Sequence, residues 1–283
     1  MKLLRYGEYG QEKPGCLDAK GNIRDLSRII PDIANKALGP TELDYLRSLK
    51  LDELPIIDKN VRLGSCVNQV GKFICIGLNY IDHAKETGAA IPTEPVVFLK
   101  ATSAISGPHD PIVIPYESQQ TDWEVELGIV IGKQGKHIKE KHARDYIAGY
   151  CLIDDVSERN FQKINTSQWA KGKSCDTFGP IGPWLVTQDE ITDPQKLSLW
   201  LEVDGKRYQD GNTADMIFGI DYLISYLSRF FTLYPGDIIS TGTPSGVGMG
   251  QKPNPIFLKP GQSVKLGITH LGEQTHLTTA EKI

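Results

Sequence analysis

From about residue 70 onward the chain is a succession of short Ile- and Val-rich runs separated by Gly and Pro, and this texture constrains the fold more than any other feature. Runs of this length are too short for buried helices and read as strands. They include Phe73-Ile74-Cys75-Ile76-Gly77, Val96-Val97-Phe98-Leu99, Ile112-Val113-Ile114 and the stretch from Glu124 to Ile131. The segments Ile147 to Ile153, Leu197 to Val203, Asp237 to Ser240 and Ser263 to Ile268 read the same way. Helical periodicity is clear chiefly from Ile220 to Phe230, where Leu223, Ile224 and Leu227 share a face. The expected fold class is therefore α+β and mostly β, without the regular strand–helix alternation of a doubly wound sheet or a β/α barrel.

The first 60-odd residues look separate, and the expected division is a small N-terminal α+β domain over 1–65 and a larger core domain over 66–283. Leu3-Leu4-Arg5-Tyr6 and Pro14 to Asp18 read as strands, and Thr41 is a plausible N-cap for a helix carrying Leu43, Leu46 and Leu49. Lys and Arg number 31 against 35 Asp and Glu, which argues against nucleic acid or an anionic membrane as the main partner. No apolar run reaches the roughly 18 residues of a membrane span, and the opening Met1 to Gly7 has no apolar core of a signal peptide. Five cysteines, an odd number without Cys-x-x-Cys, suit a reduced, cytoplasmic protein with Cys75 and Cys151 as inert core thiols.

Five segments could carry chemistry. In Asp122-Trp123-Glu124-Val125-Glu126-Leu127, strand alternation puts Trp123, Val125 and Leu127 on the core face and both glutamates on the other, about 7 Å apart. That pair is either a solvated polar face or two oxygen ligands for a hard divalent ion. Asp154-Asp155 ends an apolar run and offers either a helix cap or a third carboxylate ligand. His83 and Glu86, in a turn leading into a short helix, are spaced i, i+3: a surface pair, or a general base with its orienting carboxylate, on a segment where Gly88-Ala89-Ala90 could hinge a lid. Lys171 and Lys173 lie in a loop that is either an exposed basic turn or one approaching an anion. The Gly-rich stretch from Ser240 to Gly250 is neither a P-loop nor a dinucleotide fingerprint, although its amides could bind a carboxylate. His109, His137, His142, His270 and His276 read as surface residues, and Cys175 is a loop thiol without a local partner.

Taken together and in order, these segments resemble the fumarylacetoacetate hydrolase family. The matching pieces are Gly77-Leu78-Asn79-Tyr80 with His83 and Glu86, then Phe98-Leu99-Lys100 with Ser103, Glu124-x-Glu126, Asp155 with Arg159 and Gln162, Lys173, and Thr241 to Gly248. The resemblance implies a β-roll or sandwich core and Mg²⁺ or Mn²⁺ held by Glu124, Glu126 and Asp155. It further implies water activation by His83 with Glu86, charge stabilisation by Lys173, and substrate contacts from Tyr80, Lys100, Ser103, Arg159, Gln162 and Thr243. Among members it is most similar to hydrolases of 2,4-diketo-3-deoxy-rhamnonate or -fuconate and to chains labelled ureidoglycolate lyase, with homodimers usual. Ser157-Glu158-Arg159-Asn160 departs from the family's Thr-Ala-Arg-Asp. The expected activity is hydrolysis of a C–C bond in a 2,4-dioxo acid with release of pyruvate. Ureidoglycolate cleavage, oxaloacetate decarboxylation and 2-oxo acid isomerisation are alternatives on the same site, and a non-catalytic metal-binding domain or a Cys175 thiol hydrolase are alternatives of other classes.

Overall fold

The computed structural model describes residues 1–163 and 168–283. Its backbone is one large sheet, one five-stranded sheet and a two-stranded pair, Thr121–Asp122 with Ser157–Glu158, with few helices. Across the large sheet the strands run in the order Ile56–Ile57, Ile23–Asp25, Lys13–Leu17, Lys2–Tyr6, Gly179–Thr187, Ile147–Asp154, Val125–Ile131, Ile238–Ser240, Phe73–Gly77 and Val96–Lys100. Neighbours are antiparallel except Ile238–Ser240 and Phe73–Gly77, which run parallel. The five-stranded sheet orders Lys206–Asn212, Ser198–Val203, Ser263–Ile268, Gly272–Ala280 and Ile112–Ile114.

The unbroken apolar runs are explained by cover on both faces of the large sheet. Ile74, Ile76, Leu127, Ile129 and Leu152 point one way and pack with Leu199, Leu201 and Leu266 of the smaller sheet. Phe73, Cys75, Val130, Cys151 and Ile153, the alternate residues, point the other way and pack with Leu3, Leu26, Ile33, Leu38 and Leu43. Residues 1–65 thus add four strands to one edge of the sheet, through Lys2 opposite Val186 and Leu3 opposite Leu185, and fold back to cover one of its faces.

Five short α-helices decorate this frame: α1 (Pro40–Arg47), α2 (Ile81–Thr87), α3 (Arg159–Lys163), α4 (Ala170–Lys173) and α5 (Ile220–Leu227). Helix α5 buries Leu223, Ile224 and Leu227, the face its periodicity marks. Helix α1 starts earlier than expected: its N-cap is Gly39, not Thr41, because Pro40 takes the first helical position, where its fixed φ suits the helix and its missing N–H costs nothing. Gly88, expected as hinge material, is the left-handed C-cap of α2 at φ 70°. No helix among the described residues is long and apolar enough to cross a membrane.

Candidate active site

Strand register assembles the acidic centre. Val125 pairs with Asp154 in the antiparallel ladder, so the next residue, Asp155, falls beside Glu124, and its N–H donates to the Glu124 carbonyl at 2.9 Å. Glu124, Glu126 and Asp155 are all buried, each offering one carboxylate oxygen within 4.8 Å of the others. The polar face of this strand is therefore interior, which excludes the solvated reading. Three hard oxygen donors with no Cys or His among them suit Mg²⁺ or Mn²⁺ better than Zn²⁺.

The surrounding charges are unequal. Lys173 of α4 places Nζ 2.7 Å from Glu124 and 2.6 Å from Asp155, Arg159 of α3 lies 2.6 Å from Glu124, and Lys100 donates to Asp155 and to the Val156 carbonyl. Burial alone would pull the Lys173 ammonium down, but Asp155 and Glu124 beside it hold it above its ordinary range. Burial opposes ionisation of Glu124, yet Lys173 and Arg159 keep its carboxyl well below the usual range. Glu126 differs. Among the described residues it accepts only from the Ser240 hydroxyl and from the Gly242 N–H at 2.9 Å, and burial, then Asp155 and Glu124, push it far above the carboxylate range. A divalent cation between the three acids would relieve that burial and repulsion, so the residues fit such an ion.

The Gly-rich loop holds this centre to α2, and the carboxylates its amides bind are the protein's own. Gly242 N–H donates to Glu126, Gly246 N–H to Glu86, Ser245 N–H and hydroxyl to Asp82, and the N–H groups of Gly248 and Met249 to Asp122. Close approach demands glycine here: a Cβ on Gly246 (φ 103°) would lie 2.0 Å from the Tyr208 carbonyl oxygen. Held this way, Glu86 brings Oε2 to 3.4 Å from His83 Nδ1 on the same helix, and His83 is buried against the cavity.

One cavity of about 170 Å³ joins these parts. Glu124, Glu126, Arg159, Lys173 and His83 line it beside Gln162 and Thr243, with Phe98, Trp169 and Leu78 as apolar wall. The Phe98 and Trp169 rings lie 5.3 Å apart, and Lys173 sits over Phe98. Thr243 is less free than expected, since its hydroxyl donates to the Val125 carbonyl and accepts from Gln209.

Three expected substrate contacts are not cavity-lining. Ser103 is exposed in a turn after the edge strand. Tyr80 is fully buried at the start of α2, with a hydroxyl that has no partner among the described residues. Lys100 is buried in its pairing with Asp155 and is absent from the cavity wall. The loop carrying Lys173 is not an exposed basic turn, and the anions it approaches are Glu124 and Asp155. His276 is also not a surface residue: it is buried between the Asp110 carbonyl and Gln274, and burial pulls its ring down to about 4. Burial raises the Cys175 thiol to about 11, and among the described residues its sulfur bonds only the Lys171 carbonyl, which offers a thiol nucleophile no base. The sequence reading gave no role to Asp122, which anchors both Arg159 and the Gly-rich loop; Asp154, offered there with Asp155 as a cap or third ligand, instead accepts the Glu124 N–H at Oδ1, and burial raises its carboxyl to about 7.

Residues 72–277 match the model of the fumarylacetoacetate (FAA) hydrolase C-terminal family. A relative from Burkholderia ambifaria, carrying only a generic hydrolase name, is 60% identical over 98% of this chain and 99% of its own. Among solved structures, a 2-hydroxyhepta-2,4-diene-1,7-dioate isomerase from Mycobacterium marinum is 32% identical with a TM-score of 0.76, covering 100% of both chains. The maleylpyruvate hydrolase of Sphingobium sp. SYK-6, solved with manganese(II) and pyruvate, is 28% identical with a TM-score of 0.83, again over 100% of both. Hydrolases and isomerases thus share this fold, and the chain belongs to the fumarylacetoacetate hydrolase family.

Proposed function

We propose that the chain is a divalent-metal-dependent hydrolase that cleaves a C–C bond in a 2,4-dioxo acid and releases pyruvate. The observation that carries the reading is that Glu124, Glu126 and His83 line one cavity, with Asp155 completing the buried acidic trio and Glu86 beside the His83 ring. Glu124, Glu126 and Asp155 would hold Mg²⁺ or Mn²⁺, which when bound supplies Lewis-acid polarisation and a template for a 2-oxo carboxylate. Glu86 faces Nδ1 of His83 and favours the proton there, leaving Nε2 as the base. His83 takes a proton from water as its oxygen adds to the C4 carbonyl. The C3–C4 bond then breaks with its electron pair on C3, and His83 returns the proton to that carbon, giving pyruvate and a carboxylic acid. Lys173 offsets the negative charge that builds on the 2-oxo oxygen.

The isomerase relative makes tautomerisation the second reading, because it passes through the same enolate without attack by water. Incubation of the Mn²⁺-loaded protein with acylpyruvates separates them. Loss of enol absorbance with one pyruvate released per substrate, read by coupled lactate dehydrogenase, is expected. Absorbance change without pyruvate would replace the hydrolase reading with the isomerase one.

A further inference from the structure

Among the described residues no member of the smaller sheet lines the cavity, yet one of its side chains reaches the acidic strand. Strand Lys206–Asn212 forms an edge of that sheet, and Gln209 is its one fully buried residue. The strand is bulged there: Leu201 pairs with Gln209 but Glu202 with Arg207, which leaves Tyr208 unpaired. Bulges beside functional sites re-aim side chains, and next to this one Gln209 points across to the large sheet. Its Oε1 accepts the Val125 N–H at 2.9 Å, and its Nε2 donates to the Thr243 hydroxyl at 2.8 Å and to the Pro244 carbonyl at 2.9 Å. The Thr243 hydroxyl in turn donates to the Val125 carbonyl at 2.9 Å. One amide thus spends both its hydrogens and its oxygen, and through Thr243 it holds the N–H and the C=O of the residue that separates Glu124 from Glu126.

Val125 needs these partners. On that side the neighbouring strand pairs as far as Gly128 opposite Ser240 and then turns into the Gly-rich loop, so the ladder stops short of Val125. On the other side Asp154 accepts the Glu124 N–H and the Asp155 N–H donates to the Glu124 carbonyl. We propose that Gln209 is a positioning residue of the metal centre: it sets the direction of Glu124 and Glu126 by fixing the peptide groups of Val125, directly and through Thr243. The inference rests on the reading of the acidic centre as a divalent-cation site and deepens it, since it extends that centre to the second sheet. Two buried like charges repel, and a Val125 peptide free to rotate would let them swing apart. The amide holds them together before an ion arrives.

The test is Mn²⁺ titration calorimetry on the whole chain, with thermal melts of the metal-free form; neither depends on turnover. Gln274 is the control, a second buried glutamine of the smaller sheet that bridges to the large one by donating to the Leu152 and Gly182 carbonyls. Gln209→Met and Gln274→Met keep the side-chain length and lose the bonds, so both should lower the metal-free melting temperature. Only Gln209→Met should weaken Mn²⁺ binding, by about 10–100-fold. Only it should change the zero-field splitting in the EPR spectrum of the bound ion, which reports how the ligand oxygens are arranged. Thr243→Val removes the donor to the Val125 carbonyl without altering the smaller sheet, and should weaken Mn²⁺ about 10-fold. Added to Gln209→Met it should cost little more, because both act through one peptide. Thr243→Val carries the test alone if Gln209→Met does not fold. Native Mn²⁺ affinity and spectrum in these variants, or equal weakening in Gln274→Met, would overturn the proposal and leave the metal site standing. If the native protein binds no Mn²⁺, the reading of the acidic centre fails and takes this inference with it.

Discussion

Two charged clefts in this molecule are built from similar side chains and solve opposite problems. The first lies along the seam between the N-terminal segment and the loop at 102–107, where Arg5 pairs with Asp32 at 2.7 Å and Arg62 grips Asp110 with two nitrogens and Glu12 with a third. Each of those acids meets an arginine, and Asn68 donates the remaining bond to Asp32. The second is the cavity with the acidic strand ends behind it, where, among the described residues, Glu126 is in no ion pair and Asp154 keeps one oxygen without a partner. A cleft whose charges close on themselves fastens two parts of the fold. A cleft that buries charge without closing it holds free energy that a metal and an anionic ligand release on binding.

The sharpest way to break this comparison is to remove the uncompensated charge. Glu126→Gln should cost the metal-free protein no stability, because a carboxyl that burial already disfavours is replaced by a neutral isostere. The same change should weaken Mn²⁺ binding by more than the roughly 10–100-fold typical of losing a partner outside the ligand set. Pyruvate release should disappear with it. Thermal melts with and without Mn²⁺, alongside titration calorimetry, read both halves. A variant that melts well below the native protein and still binds Mn²⁺ would place Glu126 in the first class of cleft.

Next in size is His83→Ala. The ring touches no metal-ligand carboxylate in a hydrogen bond, so Mn²⁺ affinity should stay as it is while kcat falls about 10²–10⁴-fold. Rapid-quench measurement of pyruvate release checks it. An unchanged rate would leave the cavity as a metal- and ligand-binding site without hydrolysis.

The strands were most legible as short apolar-rich runs, in the doubly covered central strands and in the half-covered strands of the smaller sheet alike. Ile112–Ile114 and Ser263–Ile268 match their apolar runs residue for residue, and Val125–Ile131 and Ile147–Asp154 differ by a residue at one end. Gly179–Thr187 escaped notice because two prolines and two glycines disguise a central strand as a turn, although it joins the N-terminal strands to the rest of the sheet. Gly272–Ala280 was hidden by polarity: Gln274, His276 and Thr278 are buried and find partners across the molecule. The site follows the same rule. Alternation alone puts Glu124 and Glu126 on one face, and the end of the next long strand supplies Asp155. Asp122 could not be found this way, since its partners Gly248 and Met249 lie over 120 residues on. The loop at 240–250 was readable as a source of amides, yet nothing local says that the carboxylates it binds are Asp82, Glu86, Asp122 and Glu126.

A pH experiment sharpens the account of the paired seam. His276 sits beside it, its Nδ1 2.7 Å from the Asp110 carbonyl and its Nε2 3.0 Å from Gln274 Oε1. Gln274 is held in that orientation because its amide nitrogen donates to the Leu152 and Gly182 carbonyls. Two acceptors favour a charged ring, as does the Asp110 carboxylate, whereas burial and the neighbouring His109 oppose it; burial dominates and the ring titrates at about 4. A histidine lowered on folding contributes stability that is whole above its unfolded value near 6.5 and fades as pH falls toward 4. The loss is at most about 1.4 kcal/mol per pH unit. Urea unfolding of native protein and His276→Gln across that window should give curves that converge as pH drops. Curves that diverge would mean that the acceptors, not burial, control the ring.

Arg62 tests the seam with the smallest effect and the cleanest contrast. Its guanidinium is partly exposed, with 27% of the side chain accessible, while Glu12 and Asp110 are at 9% and 16%. Arg62→Ala leaves Asp110 without its arginine and Glu12 with only Arg5 at 3.6 Å, and the partial exposure discounts the 3–5 kcal/mol of a fully buried pair to about 2 kcal/mol. Arg62→Lys keeps the charge and loses the planar fork that meets Asp110 through two nitrogens, so it should recover about half of that. Neither change should alter Mn²⁺ affinity or kcat, because the seam's charges are satisfied among themselves. Denaturation midpoints give the first number and steady-state kinetics the second. Were Arg62→Ala to leave stability intact and lower kcat, the seam would have to be counted with the cavity as a place where charge is held for a ligand.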